Sequence, residues 1–217
     1  MSNSTIKIVA ILSMLIDHIG AVFMADSDLY LVFRSIGRLA FPIFAYFIAE
    51  GCQKTRNIQG YLRRLLLFGL ISEVPFDLAG RGMILEFGHQ NVFFTLFLGA
   101  LSIYFYKSMT EKEEKNKTLG WVTVASLAFL AELFNTDYGA LGVMLIFILY
   151  YKRGEFKSQA LAILLMNILF FNPLQLWGCL SVIPLYFYNQ TRGMNLKVVF
   201  YAFYPLHLLI LGLIAKL

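Results

Sequence analysis

Apolar residues run along this chain in long blocks, separated by short polar or glycine- and proline-containing stretches, with little of the alternation that marks a half-buried strand. The blocks predict helices near 6–24, 32–51, 61–79, 91–107, 118–134, 139–151, 159–171, 174–188 and 198–215. Gly60, Gly80, Asn172-Pro173 and Gly193 serve as breakers. Crossing the hydrocarbon core takes roughly 20 apolar residues. The expectation is therefore an all-α, polytopic transmembrane helix bundle of about nine spans, within a range of eight to ten. No internal repeat or low-complexity segment stands out, so residues 1–217 read as a single integral-membrane domain.

Composition sharpens this picture. Hydrophobic residues make up 59% of the chain and charged residues 14%, against roughly 45–50% and 25% in soluble domains. With 21 Phe, 12 Tyr and a mean hydropathy of +0.70, too little polar surface exists to cover a water-soluble globule. The first apolar run lacks a small-residue cleavage site and carries Asp17-His18, so it is expected to be a retained span and not a signal peptide. Cys52 and Cys179 have neither disulfide-framework nor zinc-ligand spacing, and no metal site is expected. GRGM at 80–83 lacks the strand–helix context of a nucleotide loop and reads as a turn.

The net charge of +5 could suggest nucleic acid in a soluble protein, but in a membrane chain it reports topology. With the N-terminus cytoplasmic, the inner side collects Lys7; Lys54, Arg56, Arg63 and Arg64; Lys107, Lys112, Lys115 and Lys117; Lys152, Arg153 and Lys157; and Arg192 and Lys197. These are fourteen of the 18 Lys and Arg residues; Arg34, Arg38, Arg81 and Lys216 fall on the outer half. The positive-inside bias thus predicts a multi-pass protein of the cytoplasmic membrane with its N-terminus inside. The lipid bilayer is a partner, nucleic acid is not, and a homo-oligomer is left open.

Ionisable groups inside spans are costly and call for a reason. Asp17, His18, Arg34, Arg38, Glu73, Asp77 and Glu132 all fall in the middle or outer half of predicted spans. His89, Asn91, Asp137 and Tyr138 lie at the same outer mouth, and His207 near mid-membrane. Paired charges can simply hold helices in register, but this one-sided collection fits a polar chamber open to the outer face better. Glu73 and Asp77, an i,i+4 pair around Pro75, share a helix face with Arg38 as a natural counter-ion. Adjacent residues point about 100° apart on a helix, so Asp17 and His18 must serve different neighbours. Asp17 is expected to pair with Arg34 or Arg38, and His18 to be oriented by a partner such as Glu73. Lys7 and His18, eleven residues apart, return to within about 20° of one face at two depths separated by roughly 16 Å. A cation beneath a mid-membrane histidine suits a ligand with a phosphate head inside and a reactive end deep in the bilayer, as in an acyl-coenzyme A thioester.

Lys7-x10-His18 resembles the Arg/Lys-x10-His signature of the membrane-bound acyltransferase type 3 superfamily, which modifies cell-surface glycans. GRLAFPIFAYFIAEG at 37–51 and YLRRLLLFGLISEVPF at 61–76 are similar to its second and third spans. Closer still is the TraX family, through SMLIDHIGAVF at 13–23, HQNVFFTLFLG at 89–99, DYGALGV at 137–143 and YPLHLLI at 204–210. This resemblance implies an acyl-CoA-dependent O- or N-acyltransferase, in a family best known for N-terminal acetylation of pilin in bacterial conjugation. Acetyl-CoA or another acyl-CoA would be the co-substrate, without metal, and the acceptor an exported peptide or a surface glycan. Carried onto this chain, the resemblance makes His18 the base or acyl carrier; the placement of the other ionisable groups adds Arg38 as an expected oxyanion partner, with Asp17, Glu73 and His207 orienting and tuning the histidine. Lys7, Arg56, Arg63 and Arg64 meet the donor phosphates. Arg34, Asp77, His89, Asn91, Glu132, Asp137 and Tyr138 form the acceptor-side chamber. Lys at position 7, where many superfamily members have Arg, keeps the charge but loses a bidentate contact. The rival readings are a proton-coupled transporter, since Asp, Glu and His also make proton relays, and a non-enzymatic membrane assembly subunit.

Overall fold

The computed structural model describes residues 1–110 and 116–217, and its elements follow the apolar blocks closely. The helices are α1 (Asn3–Phe23), α2 (Tyr30–Gly37), α3 (Ala40–Lys54), α4 (Ile58–Arg81), α5 (Val92–Thr110), α6 (Lys117–Leu133), α7 (Gly139–Tyr151), α8 (Phe156–Leu169), α9 (Val182–Tyr186) and α10 (Lys197–Ile214). The protein is all-helical among the described residues, with a single β-bridge between Gln90 and Thr136. Three segments are long and apolar enough to cross a membrane: Asn3–Phe23, Tyr30–Lys54 and Val92–Thr110. Most of the predicted loop 110–117, including Lys112 and Lys115, lies outside the described residues.

Several expectations are corrected. The block 174–188 is no continuous α-helix: a 3₁₀ segment, Pro173–Ser181, leads into the five-residue α9. Pro173 and Pro184 each lack the N–H that an α-helical ladder needs, and the Asn172 side chain accepts from the Leu174 N–H at 3.0 Å to start the tighter turn. The block 32–51 divides into α2 and α3 at Arg38-Leu39. Gly60 and Gly80 sit inside the end turns of α4 instead of breaking it. Asn57 Oδ1, accepting the Gly60 N–H at 2.7 Å, caps the helix upstream.

The chain forms two compact units that are not contiguous blocks of sequence. The first comprises residues 1–44, 71–86 and 163–217; the second comprises 45–70 and 87–162. In the first, α1 packs on α2 and α10, and the 3₁₀ segment on α2 and α9. Ile6, Ala10, Ile11 and Met14, spaced at helical intervals on α1, are buried, as are Tyr204, Leu208 and Leu211 on α10. The beginning of α1 is tied down by the Asn3 and Ser4 N–H groups, which donate to the carbonyls of Thr191 and Arg192 at 2.8 and 3.3 Å.

In the second unit α5, α6 and α7 pack against one another. Gly99 lets α5 approach α7 so closely that an added Cβ would stand 2.6 Å from Ile146 Cδ1. Ala128, Ala131 and Val143 continue the small-residue contact between α6 and α7. Farther along, the rings of Tyr106, Trp121, Phe147 and Tyr151 interlock with centroids between 5.0 and 6.0 Å apart. Phe129 and Leu133 on α6 instead project outward. Such side chains are a liability in water and are at home against lipid tails.

This contrast can be tested on two phenylalanines. Phe147→Ala, which removes a fully buried ring, should lower the unfolding free energy by about 3–5 kcal/mol and depress the thermal midpoint in detergent. Phe129→Ala, at an outward position, should leave the midpoint nearly unchanged.

Candidate functional site

The first unit holds expected site residues on α1, α2, α4 and α10, and those of α1, α2 and α10 meet in direct contacts. Asp17 lies between two guanidiniums: Arg34 Nη1 reaches Oδ2 at 2.6 Å and Arg38 Nη2 reaches Oδ1 at 2.6 Å. Arg38 Nε also donates to the Arg34 carbonyl at 3.2 Å, across one turn of backbone. Sequence reasoning expected one arginine or the other, and the structure uses both. Glycine permits the arrangement. A Cβ at Gly37 would overlap the Asp17 carboxyl, and one at Gly20 would stand 2.5 Å from Phe33 Cβ, so α1 and α2 touch at backbone range.

His18, turned away from Asp17 by helix geometry, meets α10. Its Nδ1 lies 2.7 Å from His207 Nε2, and His207 Nδ1 lies 2.7 Å from the Phe203 carbonyl oxygen. The Phe203 ring stacks on His207 at 4.7 Å, and Tyr204 presents its edge to both histidines at 6.1 and 5.7 Å. The orienting partner of His18 is thus His207 and not Glu73. Lys7, about three turns earlier on α1, places Nζ 5.4 Å from the centroid of the Phe200 ring on α10. The Lys7-x10-His18 pair therefore lies along a single helix–helix contact, as its spacing predicts.

Glu73 and Asp77 are both buried on α4, which runs unbroken through Pro75. Asp77 Oδ2 accepts the Glu86 N–H at 2.7 Å, and Arg81 pairs with the Glu86 carboxylate, so Asp77 holds the chain that leaves α4.

Sequence reasoning missed a buried polar group in this unit. Asn167 Nδ2 donates to the Ile163 carbonyl at 2.8 Å, Gln175 Nε2 donates to Asn167 Oδ1 at 2.9 Å, and both side chains are buried. Gly178 packs so tightly here that a Cβ would collide with Asn167 Oδ1 and stand 3.1 Å from the Arg38 carbonyl. The network thereby braces the turn carrying Arg38. A usable signal was present, since Asn167 and Gln175 are uncharged polar residues inside apolar blocks, the kind that bond between membrane helices.

The remaining predicted residues belong to the second unit. Arg56 and Arg63 are exposed, and the half-buried Arg64 guanidinium lies 5.8 Å from the Tyr61 ring centroid. Asn91 is fully buried, its Nδ2 donating to the Gly69 carbonyl at 2.8 Å and its Oδ1 accepting the Phe93 N–H at 3.0 Å, so it caps α5 and ties it to α4. Glu132 Oε2 accepts the Ala140 N–H at 3.0 Å at the positive end of α7. Gly139, at φ +45°, leaves space for that carboxylate, and Tyr138 precedes it at φ +66°, a left-handed position unusual for a non-glycine residue. His89 Nε2 and Asp137 Oδ1 are 4.0 Å apart at a half-exposed position. Asp137 donates its N–H to the Gln90 carbonyl at 2.8 Å, and Gln90 donates to the Asn135 carbonyl at 3.0 Å. Residues expected to line a chamber thus also serve as helix caps and loop ties.

Comparison with known proteins places the chain. The family model described as TraX protein matches residues 2–215. This chain belongs to the TraX family. It is 30% identical over 235 residues to the probable fimbrial assembly protein FimC, serogroup H1, of Dichelobacter nodosus, with 95% of this chain and 92% of that protein covered. It is 28% identical over 164 residues to protein TraX of Escherichia coli, covering 73% of this chain and 60% of that one. An uncharacterized protein of Rickettsia prowazekii, RP591, is 24% identical over 152 residues, covering 69% and 55%. The match thus spans somewhat over half the length of the last two relatives. No solved structure matches this chain.

Two substitutions probe the geometry. Asp17→Asn leaves two guanidiniums facing each other without a carboxylate and should cost about 3 kcal/mol, measured as a loss of thermal stability in detergent; Arg34→Gln in the same background should recover part of it. Glu132→Ala removes the acceptor at the start of α7 and should cost about 1 kcal/mol, read as faster hydrogen exchange at Ala140.

Proposed function

We propose that this TraX-family protein is a multi-pass acyltransferase of the cytoplasmic membrane, its N-terminus inside and its chain crossing about nine times. It moves a short acyl group, acetyl first among the candidates, from cytoplasmic acyl-coenzyme A to an amine or hydroxyl at the outer face. The acceptor is an exported pilin-like peptide or a cell-surface glycan. The observation that carries this reading is the His18–His207 contact beside the Asp17–Arg34–Arg38 cluster. A histidine whose Nδ1 is already engaged, next to fixed positive charge, has the parts of a general base with an oxyanion partner.

His18 takes the proton of the acceptor N–H or O–H at Nε2 as the acceptor attacks the thioester carbonyl. Arg38 steadies the oxyanion that forms. Collapse breaks the C–S bond, and the departing thiolate receives the proton from His18, which returns the imidazole to its starting state. Lys7, which shares α1 with His18, offers a cation for the coenzyme phosphates.

A second reading, a non-enzymatic subunit of pilus assembly, draws support from the Dichelobacter nodosus relative, a probable fimbrial assembly protein. One experiment separates the two. Purified protein in detergent is given radiolabelled acetyl-CoA with and without an amine acceptor, and wild type is compared with His18→Ala at matched folding. Coenzyme A release that falls at least about 100-fold in His18→Ala supports the enzyme. Release equal in both proteins, or absent from both, favours the assembly subunit.

A further inference from the structure

The hydrogen bonds around His18 determine more than its position. A carbonyl oxygen can only accept, so the 2.7 Å contact between Phe203 O and His207 Nδ1 requires the proton on Nδ1 of His207. With that ring neutral, its Nε2 carries a lone pair and can only accept. The 2.7 Å contact between His207 Nε2 and His18 Nδ1 then requires the proton on Nδ1 of His18. A neutral His18 is thereby left with a bare Nε2, and no hydrogen-bond partner for that atom is found among the described residues.

We propose that His207 is the positioning residue of this site: a relay from the Phe203 carbonyl through His207 holds His18 in the Nδ1–H tautomer, with Nε2 as the only proton-accepting atom offered to a substrate. This rests on the reading of His18 as the reacting group. The relay works like a carboxylate behind a catalytic histidine, with a neutral imidazole in the carboxylate's place. When Nε2 takes a proton, the Nδ1–H of the imidazolium goes on donating to His207 Nε2, so no partner has to be exchanged during the reaction. The arrangement also suits its place in the fold. Phe203 and His207 lie one turn apart on α10, so backbone geometry sets the first hydrogen bond; the α1–α10 contact sets the second. The stacked Phe203 ring and the Tyr204 edge restrict rotation of the His207 ring, which would otherwise break both.

The test uses the full chain labelled with ¹⁵N at its histidine rings. Only His18, His89 and His207 contribute signals, and His89→Gln assigns the third. In wild type, His18 is expected to show a protonated Nδ1 and a bare Nε2. In His207→Ala that preference is lost, and kcat falls by about 10²–10⁴-fold with the donor KM little changed. His207→Gln places an amide oxygen near the former Nε2 and restores the tautomer and part of kcat. A wild-type His18 protonated at Nε2 overturns the proposal, as does full activity in a folded His207→Ala protein. If the wild-type spectrum is as expected but no protein transfers an acyl group, the relay stands and the acyltransferase reading falls.

Discussion

Asp17, held at 2.6 Å by each of two arginines, sets the terms for its part of the molecule. A carboxylate and two guanidiniums placed in apolar surroundings are tolerable only if they find one another with short, well-aligned hydrogen bonds. That requirement draws α2 onto α1 until Gly37 and Gly20 form the contact. It also places Arg38 at the break between α2 and α3, where the buried Asn167–Gln175 pair and Gly178 brace its backbone. His18 follows Asp17 in sequence, so fixing one rotates the other onto α10. The ion cluster and the histidine pair are therefore two consequences of one helix orientation.

The second unit reaches its packing by different means. Its three central helices approach through Gly99 and the Ala128–Ala131–Val143 patch and lock through four interdigitated rings. Polar side chains serve helix ends there. Asn91 completes the start of α5, Glu132 the start of α7, and Glu155, just ahead of α8, accepts from Ser158 Oγ at 2.9 Å. That hydroxyl, followed by the Lys152 ammonium, holds the Glu155 carboxyl below its ordinary range. Glu132, a titratable residue at the end of an apolar block, is thus explained by the unsatisfied N–H groups of the next helix.

Much of this architecture was legible beforehand. The block 139–151 matches α7 to the residue, and most other helix ends fall within three or four positions of the run-length edges. Exceptions arose where local chemistry overrode hydropathy. Two prolines turned 174–188 into a 3₁₀ segment and a short helix, and glycines within the end turns of α4 did not act as breakers. At the site, spacing correctly separated the neighbours of Asp17 and His18 and put Lys7 and His18 on one face. It offered Glu73 and Asp17 beside His207 as orienting groups for His18, of which the structure uses His207, and it did not find the Asn167–Gln175 brace.

The amino-acid sequence alone determined the membrane character, the helical class, the approximate helix boundaries and the membership in the TraX family. Each of these depends on run length, composition or ordered motifs, which are local or additive along the chain. Which nitrogen meets which acceptor was decided only by tertiary structure. His18 and His207 are 189 positions apart, and their 2.7 Å contact depends on the rotation of two helices about their axes. That rotation is set by packing at glycine contacts and by the pairing of buried charge, neither of which leaves a period in the sequence.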